Sequence, residues 1–207
     1  MIFTELLKNF RQTGAVMGDS SATVNAFCDP IPFDSAKVIV EFGPGTGAIT
    51  RELIRRKHKN TQLICFEKNP TLYESLVKTV SGENLFILNA DVFSSRAILS
   101  EKFDLQQGQI DCIVSSLPCA FMPCEELIEH VVTPLLKEKA NNVHSGEGLF
   151  VTYQYLLSRL TNHNLASILD KYFQSITTKQ VWSNLPPAII LSCTKKKCLG
   201  KRVVPES

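Results

Sequence analysis

A chain of 207 residues with a formal net charge of +2, 44% hydrophobic and 20% charged, has the make-up of one globular domain able to bury a sizeable core. So small a charge is too little to predict nucleic-acid binding, for which a strongly basic stripe is expected. No apolar run nears the ~20 residues of a membrane span, and the amino terminus lacks the layout of a secretory leader. The seven cysteines (Cys28, Cys65, Cys112, Cys119, Cys124, Cys193, Cys198) are odd in number and never spaced C-x-x-C. They predict reduced, largely buried thiols in a cytoplasmic protein and no metal site. His130, His144 and His163 show no spacing to one another that would alter this.

Residues 1–12 read as an amphipathic helix. Ile2, Phe3, Leu6, Leu7 and Phe10 fall within about 140° of arc at ~100° per residue, opposite Thr4, Glu5, Lys8, Asn9 and Arg11. Such a helix either folds onto its own domain or lies reversibly in a lipid surface. A small-residue loop, Gln12 to Ser21, is long enough to cover a ligand, and Ser20 or Ser21 can cap a helix over 21–28. Pro30 and Pro32 close that segment before a first strand at 37–42. A helix over 47–58 ends in a basic run suited to a helix carboxyl terminus.

Strands follow at Gln62–Glu67 and Leu85–Leu88, separated by a helix that opens at Pro70 and runs to about Val80. A helix at 92–101 leads to a buried strand at 110–115 and a proline-stiffened loop, Ser116 to Pro123. The pattern then predicts a helix near 124–138, a polar loop to Gly148, a strand at Leu149–Tyr153 and a helix over about 155–171. Two last strands, near 173–182 and 187–194, are joined closely enough to form an antiparallel hairpin. The alternation predicts an α/β fold: a doubly wound, Rossmann-like, seven-stranded and mostly parallel sheet with an antiparallel terminal hairpin. We read 1–195 as a single domain, with 12–36 as a lead-in and lid, and 196–207 as a flexible tail.

The chemistry concentrates in Glu41-Phe42-Gly43-Pro44-Gly45-Thr46-Gly47-Ala48. Glycines at this spacing turn the backbone sharply after a strand and let a ligand lie against bare main chain. Gly43-x-Gly45-x-x-Ala48 also satisfies the dinucleotide fingerprint. Glu41, two residues ahead of the first glycine, decides against it, because a carboxylate there would oppose a pyrophosphate. It suits S-adenosylmethionine (SAM), which carries an ammonium and a sulfonium and no phosphate. Glu67 ends the second strand about 20 residues on, where a carboxylate can accept the ribose hydroxyls. Asp91 can meet the adenine amino group with Val92 against the ring, or cap the helix that follows. Glu41, Glu67, Asp91 and Ser115 all stand at strand carboxyl ends, where such sheets bind ligands.

The segment Glu41 to Gly47 resembles the first motif of class I SAM-dependent methyltransferases. From Gln12 to about Thr194 the chain is similar to the group containing ribosomal RNA adenine dimethyltransferases and bacterial phospholipid N-methyltransferases. RNA adenine dimethyltransferases carry Asn-Leu/Ile-Pro-Tyr/Phe after the fourth strand, an amide for the adenine amino group and a ring to stack the extruded base. This chain has Ser116-Leu117-Pro118-Cys119 there, and it stops before the extra helical domain of those enzymes. Thr13-Gly14-Ala15-Val16 ahead of Ser20-Ser21, Ser115-Ser116-Leu117-Pro118, and Asn184-Leu185-Pro186-Pro187-Ala188 resemble the phospholipid branch. Gly18-Asp19 departs from that branch, in place of a proline-bearing turn.

The resemblance implies methyl transfer from SAM to the amine of a headgroup such as phosphatidylethanolamine. Thr13, Gly14 and Ala15 are then a lid, Glu41 orients the amino-acid end of SAM, and the backbone at Gly43, Gly45 and Gly47 lines it. Ser116, Leu117 and Pro118 form the acceptor loop with Ser115 beneath, and Tyr153, just past the fifth strand, contacts the headgroup, with Tyr155 second. The expected partner is a phospholipid surface reached through residues 1–12, placing the protein in the cytoplasm or peripherally on the inner membrane face; nucleic acid is disfavoured. An RNA adenine or small-molecule methyltransferase, and a SAM-binding module without turnover, are the competing readings.

Overall fold

The strand that begins at Val38 is apolar on both faces, the pattern of a strand covered by helices on both sides. In the computed structural model, which describes residues 20–119, 122–138, 147–156, 165–183 and 187–197, this strand, β1 (Val38–Phe42), is buried throughout. It lies within a seven-stranded sheet. The others are β2 (Gln62–Glu67), β3 (Leu85–Asn89), β4 (Cys112–Ser115), β5 (Leu149–Tyr155), β6 (Phe173–Val181) and β7 (Ala188–Lys196). Their order is β3-β2-β1-β4-β5-β7-β6. The first five pair in parallel, and β7 runs antiparallel to both β5 and β6. Six strands therefore share one direction, and their carboxyl ends share one edge.

Alternate residues face different helical layers. Ile39, Leu63, Cys65, Cys112, Val151 and Ile190 pack with Phe27 of α1 (Ser21–Cys28) and Leu53 of α2 (Ala48–Arg56). Val40, Ile64, Phe66, Ile113, Phe150 and Leu191 face the other layer. That layer includes Leu99 of α4 (Ser95–Phe103), Leu127 of α5 (Cys124–Leu127), Leu135 of α6 (Thr133–Leu135) and Leu169 of α7 (Leu165–Tyr172). The helix α3 (Pro70–Thr79) is capped by Asn69, as α1 is by Ser20.

Three expectations are corrected. The helix at 92–101 opens as a 3-10 turn, Val92–Ser94, before α4. The helix near 124–138 ends at Leu135 and widens into a π turn at Ile128–Val132. Pro134 has no N–H to return to the His130 carbonyl, and Arg96 Nη1 supplies the missing donor at 3.0 Å. Finally, β5 continues through Tyr155, into the start of the span expected to be helical; of the rest of that span the described residues are helical over Leu165–Tyr172, and 157–164 lie outside the described residues. The last residues of β5 pair with β7, Tyr153 with Ile190 and Tyr155 with Ala188, a long-range pairing that local periodicity does not carry.

At the opposite edge one carboxylate holds three segments. Asp111 Oδ2 accepts from the backbone of Lys37 (2.8 Å) and Val38 (2.9 Å), and Oδ1 pairs with Lys137 Nζ at 2.7 Å. Asp111→Ala strands two amide donors and a part-buried ammonium, so we expect urea denaturation to show a loss of roughly 2–4 kcal/mol. An unchanged midpoint would show that this clamp is dispensable.

Candidate active site

Between β1 and α2 the chain turns through three glycines with positive φ: Gly43 at 71°, Gly45 at 58° and Gly47 at 83°. The turn is held on both sides. Gly43 N donates to the Phe66 carbonyl at 3.0 Å, and Gly45 N donates to Glu67 Oε2 at 3.0 Å. At Gly47 a Cβ would come within 2.5 Å of Leu76 Cδ1, so absence of a side chain is what lets α3 close on the turn.

Glu41 lies at the penultimate position of β1, fully buried. Its Oε2 accepts from the Cys65 thiol at 3.4 Å, whereas Oε1 has no hydrogen-bond partner. Burial raises its pKa from 4.5 to about 7; the neighbouring Thr50 hydroxyl and Cys65 thiol favour the charged form, and Glu67 opposes it. The protein thus holds a solvent-excluded carboxyl oxygen beside the glycine turn with nothing to neutralise it. The residues fit a cationic ligand group, which would provide the missing partner.

Glu67 joins the turn to the next strand end. One oxygen accepts from Gly45 N and the other from Asn69 N at 2.9 Å, while its carbonyl accepts from Ala90 N and Asn89 Nδ2. Asp91 caps the 3-10 turn through Phe93 N at 3.0 Å and pairs with Lys68 Nζ at 2.7 Å. Partial burial raises its pKa, but Lys68 and the Phe93 amide outweigh this and hold the carboxyl below its usual value. Val92 is buried against the core beside it.

The loop after β4 closes the site from the other side. Ser115 is buried and Ser116 donates its hydroxyl hydrogen to the Gly43 carbonyl. Leu117 lies so close that a Cβ at Gly43 would meet its Cδ2 at 2.5 Å. Glu41, Gly43, Gly45, Gly47, Glu67, Ser115, Ser116 and Leu117 are thus linked by direct contacts or adjacency, and Asp91 follows one residue after Ala90. Pro118 continues the loop; Thr13, Gly14 and Ala15 lie outside the described residues.

Two expectations change here. Tyr153 lies inside β5, only 2% exposed, with its ring against Phe27 and Tyr155. Burial pushes its phenol well above the usual range, and the ring packs in the layer of Phe27, not in the one that Leu117 and Cys119 join. The cysteines are also not all free, because Cys119 and Cys124 pair as a disulfide across Pro123 while Cys28, Cys65, Cys112 and Cys193 are buried thiols. The loop doubles back, bringing their Cα atoms to 5.0 Å. Sequence reading passed over Thr152 and Gln154 of β5. Both are buried, and the Thr152 hydroxyl and both amide atoms of Gln154 lack hydrogen-bond partners. Their only sequence signal is two polar side chains in a strand otherwise reading as core.

Gly43→Ala combines a positive φ with a clash against Leu117. We expect roughly 1–3 kcal/mol of destabilisation, with the clash part recovered in Gly43→Ala/Leu117→Ala. Full additivity in that double-mutant cycle would show that the two residues do not touch.

The profile of the family described as "Ribosomal RNA adenine dimethylase" matches residues 19–176. An ornithine lipid N-methyltransferase from Singulisphaera acidiphila is 32% identical over 96 residues, 46% of this chain and 48% of that protein. The chain therefore spans about half of that relative. A ribosomal RNA small subunit methyltransferase A from Mycoplasma capricolum is 24% identical over 193 residues, 87% of this chain and 67% of that one. Among solved structures, a SAM-dependent O-methyltransferase from Thermotoga maritima superposes with a TM-score of 0.57 at 16% identity, covering 92% of this chain and 71% of that chain. A precorrin-6y C5,15-methyltransferase from Geobacter metallireducens gives 0.56 at 18%, covering 84% and 87%. These likenesses bear out the doubly wound fold, and the RNA-directed relatives give no support to disfavouring nucleic acid. By the match over 19–176, together with the glycine turn and its acids, the chain belongs to the ribosomal RNA adenine dimethylase family.

Proposed function

We propose that the protein is a SAM-dependent N-methyltransferase whose acceptor is the amine of a phospholipid headgroup such as phosphatidylethanolamine. The observation that carries the cofactor assignment is Glu41, whose unpartnered buried oxygen beside three positive-φ glycines suits the ammonium of SAM. When bound, SAM supplies a methyl group already activated on a sulfonium. This chain's residues then have to orient, align and exclude water. In this reading Glu41 takes the amino-acid end and Glu67 the ribose hydroxyls, exchanging its bonds to Gly45 N and Asn69 N for them. Asp91 and Val92 take the adenine. Thr13, Gly14 and Ala15 serve as the lid, and residues 1–12 as a reversible membrane contact.

The lipid acceptor is supported by what stands after β4. Ser116 and Cys119 replace the amide and the aromatic ring that the RNA branch uses, Ser116 is already bonded to Gly43, and Cys119 is tied to Cys124. Trp182, 67% exposed, stands just past the carboxyl end of β6 on the edge that carries the site, and an amphipathic indole suits a bilayer interface. The ornithine lipid relative agrees with this acceptor class. RNA adenine methylation is the second reading, favoured by the family profile and the Mycoplasma relative.

Two measurements test the proposal. With labelled SAM offered phosphatidylethanolamine vesicles and ribosomal RNA together, label is expected in the lipid fraction; label confined to RNA would replace the lipid acceptor with a nucleobase. The second follows from Glu41. Its carboxyl ionises near 4.5 unfolded and about 7 folded, so between these values the native state binds more protons than the unfolded chain. Its contribution to stability therefore falls by about 3 kcal/mol as pH rises from about 4.5 to about 7 and is level above. A cationic ligand favours the ionised form, so SAM should bind more tightly as pH rises through 7 and release a proton near pH 6.5. Calorimetry in buffers of different ionisation enthalpy reads that proton, and Glu41→Gln should abolish it. Proton release that persists in the variant would remove Glu41 from the cofactor site.

A further inference from the structure

A carboxamide sealed inside a protein normally satisfies its hydrogen bonds, because a buried unpaired polar atom is costly. Gln154 breaks this rule at both ends. It is 5% exposed, and neither Oε1 nor Nε2 has a partner. Thr152, two residues earlier and so on the same face of β5, also buries an unpartnered hydroxyl. These atoms therefore make a polar strip at the carboxyl end of a strand whose preceding same-face residue, Phe150, is wholly core.

The place of the strip is informative. The pairing of β4 with β5 sets Val114 opposite Val151, and continuing that register brings Gln154 level with Leu117. Leu117, Cys119 and Leu156 pack on the same layer that Phe150 joins. Gln154 is therefore on the edge that holds Glu41 and the glycine turn, level with the acceptor loop. That loop has lost the amide by which the RNA branch holds an amino group, and Ser116 in its place is committed to Gly43. A second amide, with no structural employment, comes up from the neighbouring strand.

We infer that Gln154 is the acceptor-binding group of this site: Oε1 receives an N–H of the incoming primary amine and Nε2 donates to an oxygen of the same headgroup. The inference rests on the lipid reading above. An ethanolamine phosphate carries both an N–H donor and acceptor oxygens, matching the two ends of a carboxamide. A bond from the amine N–H to Oε1 fixes the nitrogen while leaving its lone pair free for the methyl carbon. The amide atoms are excluded from water, so the acceptor reaches them only when their cover is displaced.

Gln154→Met keeps the side chain's length and removes its polar atoms. If Gln154 binds the acceptor, methyl transfer to phosphatidylethanolamine vesicles falls about 10- to 100-fold, SAM affinity stays within about twofold, and the thermal midpoint is equal or higher, since an unsatisfied amide has been removed. Gln154→Asn, with a shorter amide, should recover part of the rate. A purely structural Gln154 predicts the reverse, a lower midpoint with the rate loss tracking unfolding. That result, unchanged transfer in Gln154→Met, or a parallel loss of SAM affinity would overturn the assignment while the wild type still labels lipid. Wild-type label confined to ribosomal RNA would overturn the lipid acceptor itself, whatever the variants do.

Discussion

The arrangement depends on a carboxylate placed where water cannot reach it. Glu41 is buried in the sheet, one residue before the chain leaves β1 for the glycine turn, and the surrounding protein leaves one of its oxygens unmatched. Filling that place with an apolar residue would spare the cost of burial; the fold instead keeps a buried acid whose charge is relieved either by a proton or by a cationic partner. The same parallel order that buries Glu41 also brings β2 and β4 against β1. Glu67 can then hold Gly45 from one side while Ser116 holds Gly43 from the other. The turn is thus held from both sides by the strands that flank β1.

Much of this was legible in the residues. Glycine spacing and acids at successive strand ends locate the turn, Glu67 and Asp91, because those features depend on local backbone geometry and on the period of the βα unit. The seven strands and the terminal hairpin follow from apolar runs separated by turn residues. What escaped the sequence depends on partners far along the chain. Tyr153 ends the predicted strand, and the pairing of Gln154 with Ile189 and Tyr155 with Ala188 carries that strand two residues further. The π turn reflects Pro134 together with Arg96 from another helix. The pairing of Cys119 with Cys124 requires the loop to double back. For Gln154, the residue type was visible but its unpaired state was not, since hydrogen-bond satisfaction is a property of the packed protein.

Family and acceptor separate at one loop. The profile match covers the glycine turn, the strand-end acids and the sheet as far as the first residues of β6, the part that carries the shared cofactor chemistry. Substrate choice depends on the residues that touch the acceptor, and a shared fold does not determine those. Ser116 and Cys119 stand where the RNA-branch motif that the chain resembles has an amide and an aromatic ring, so the acceptor assignment turns on this loop.

The two halves of the site are also mechanically joined. Leu117 occupies the space that a side chain at Gly43 would need, and Ser116 is bonded to the same glycine. The loop after β4 is therefore anchored on the glycine turn, with β1 and β4 in register beneath both. A displacement of the turn by a bound ligand is passed directly to Ser116 and Leu117, because the interior between them is close-packed and has no slack to absorb it. Gly43 is, for that reason, the contact through which the glycine turn and the loop after β4 meet.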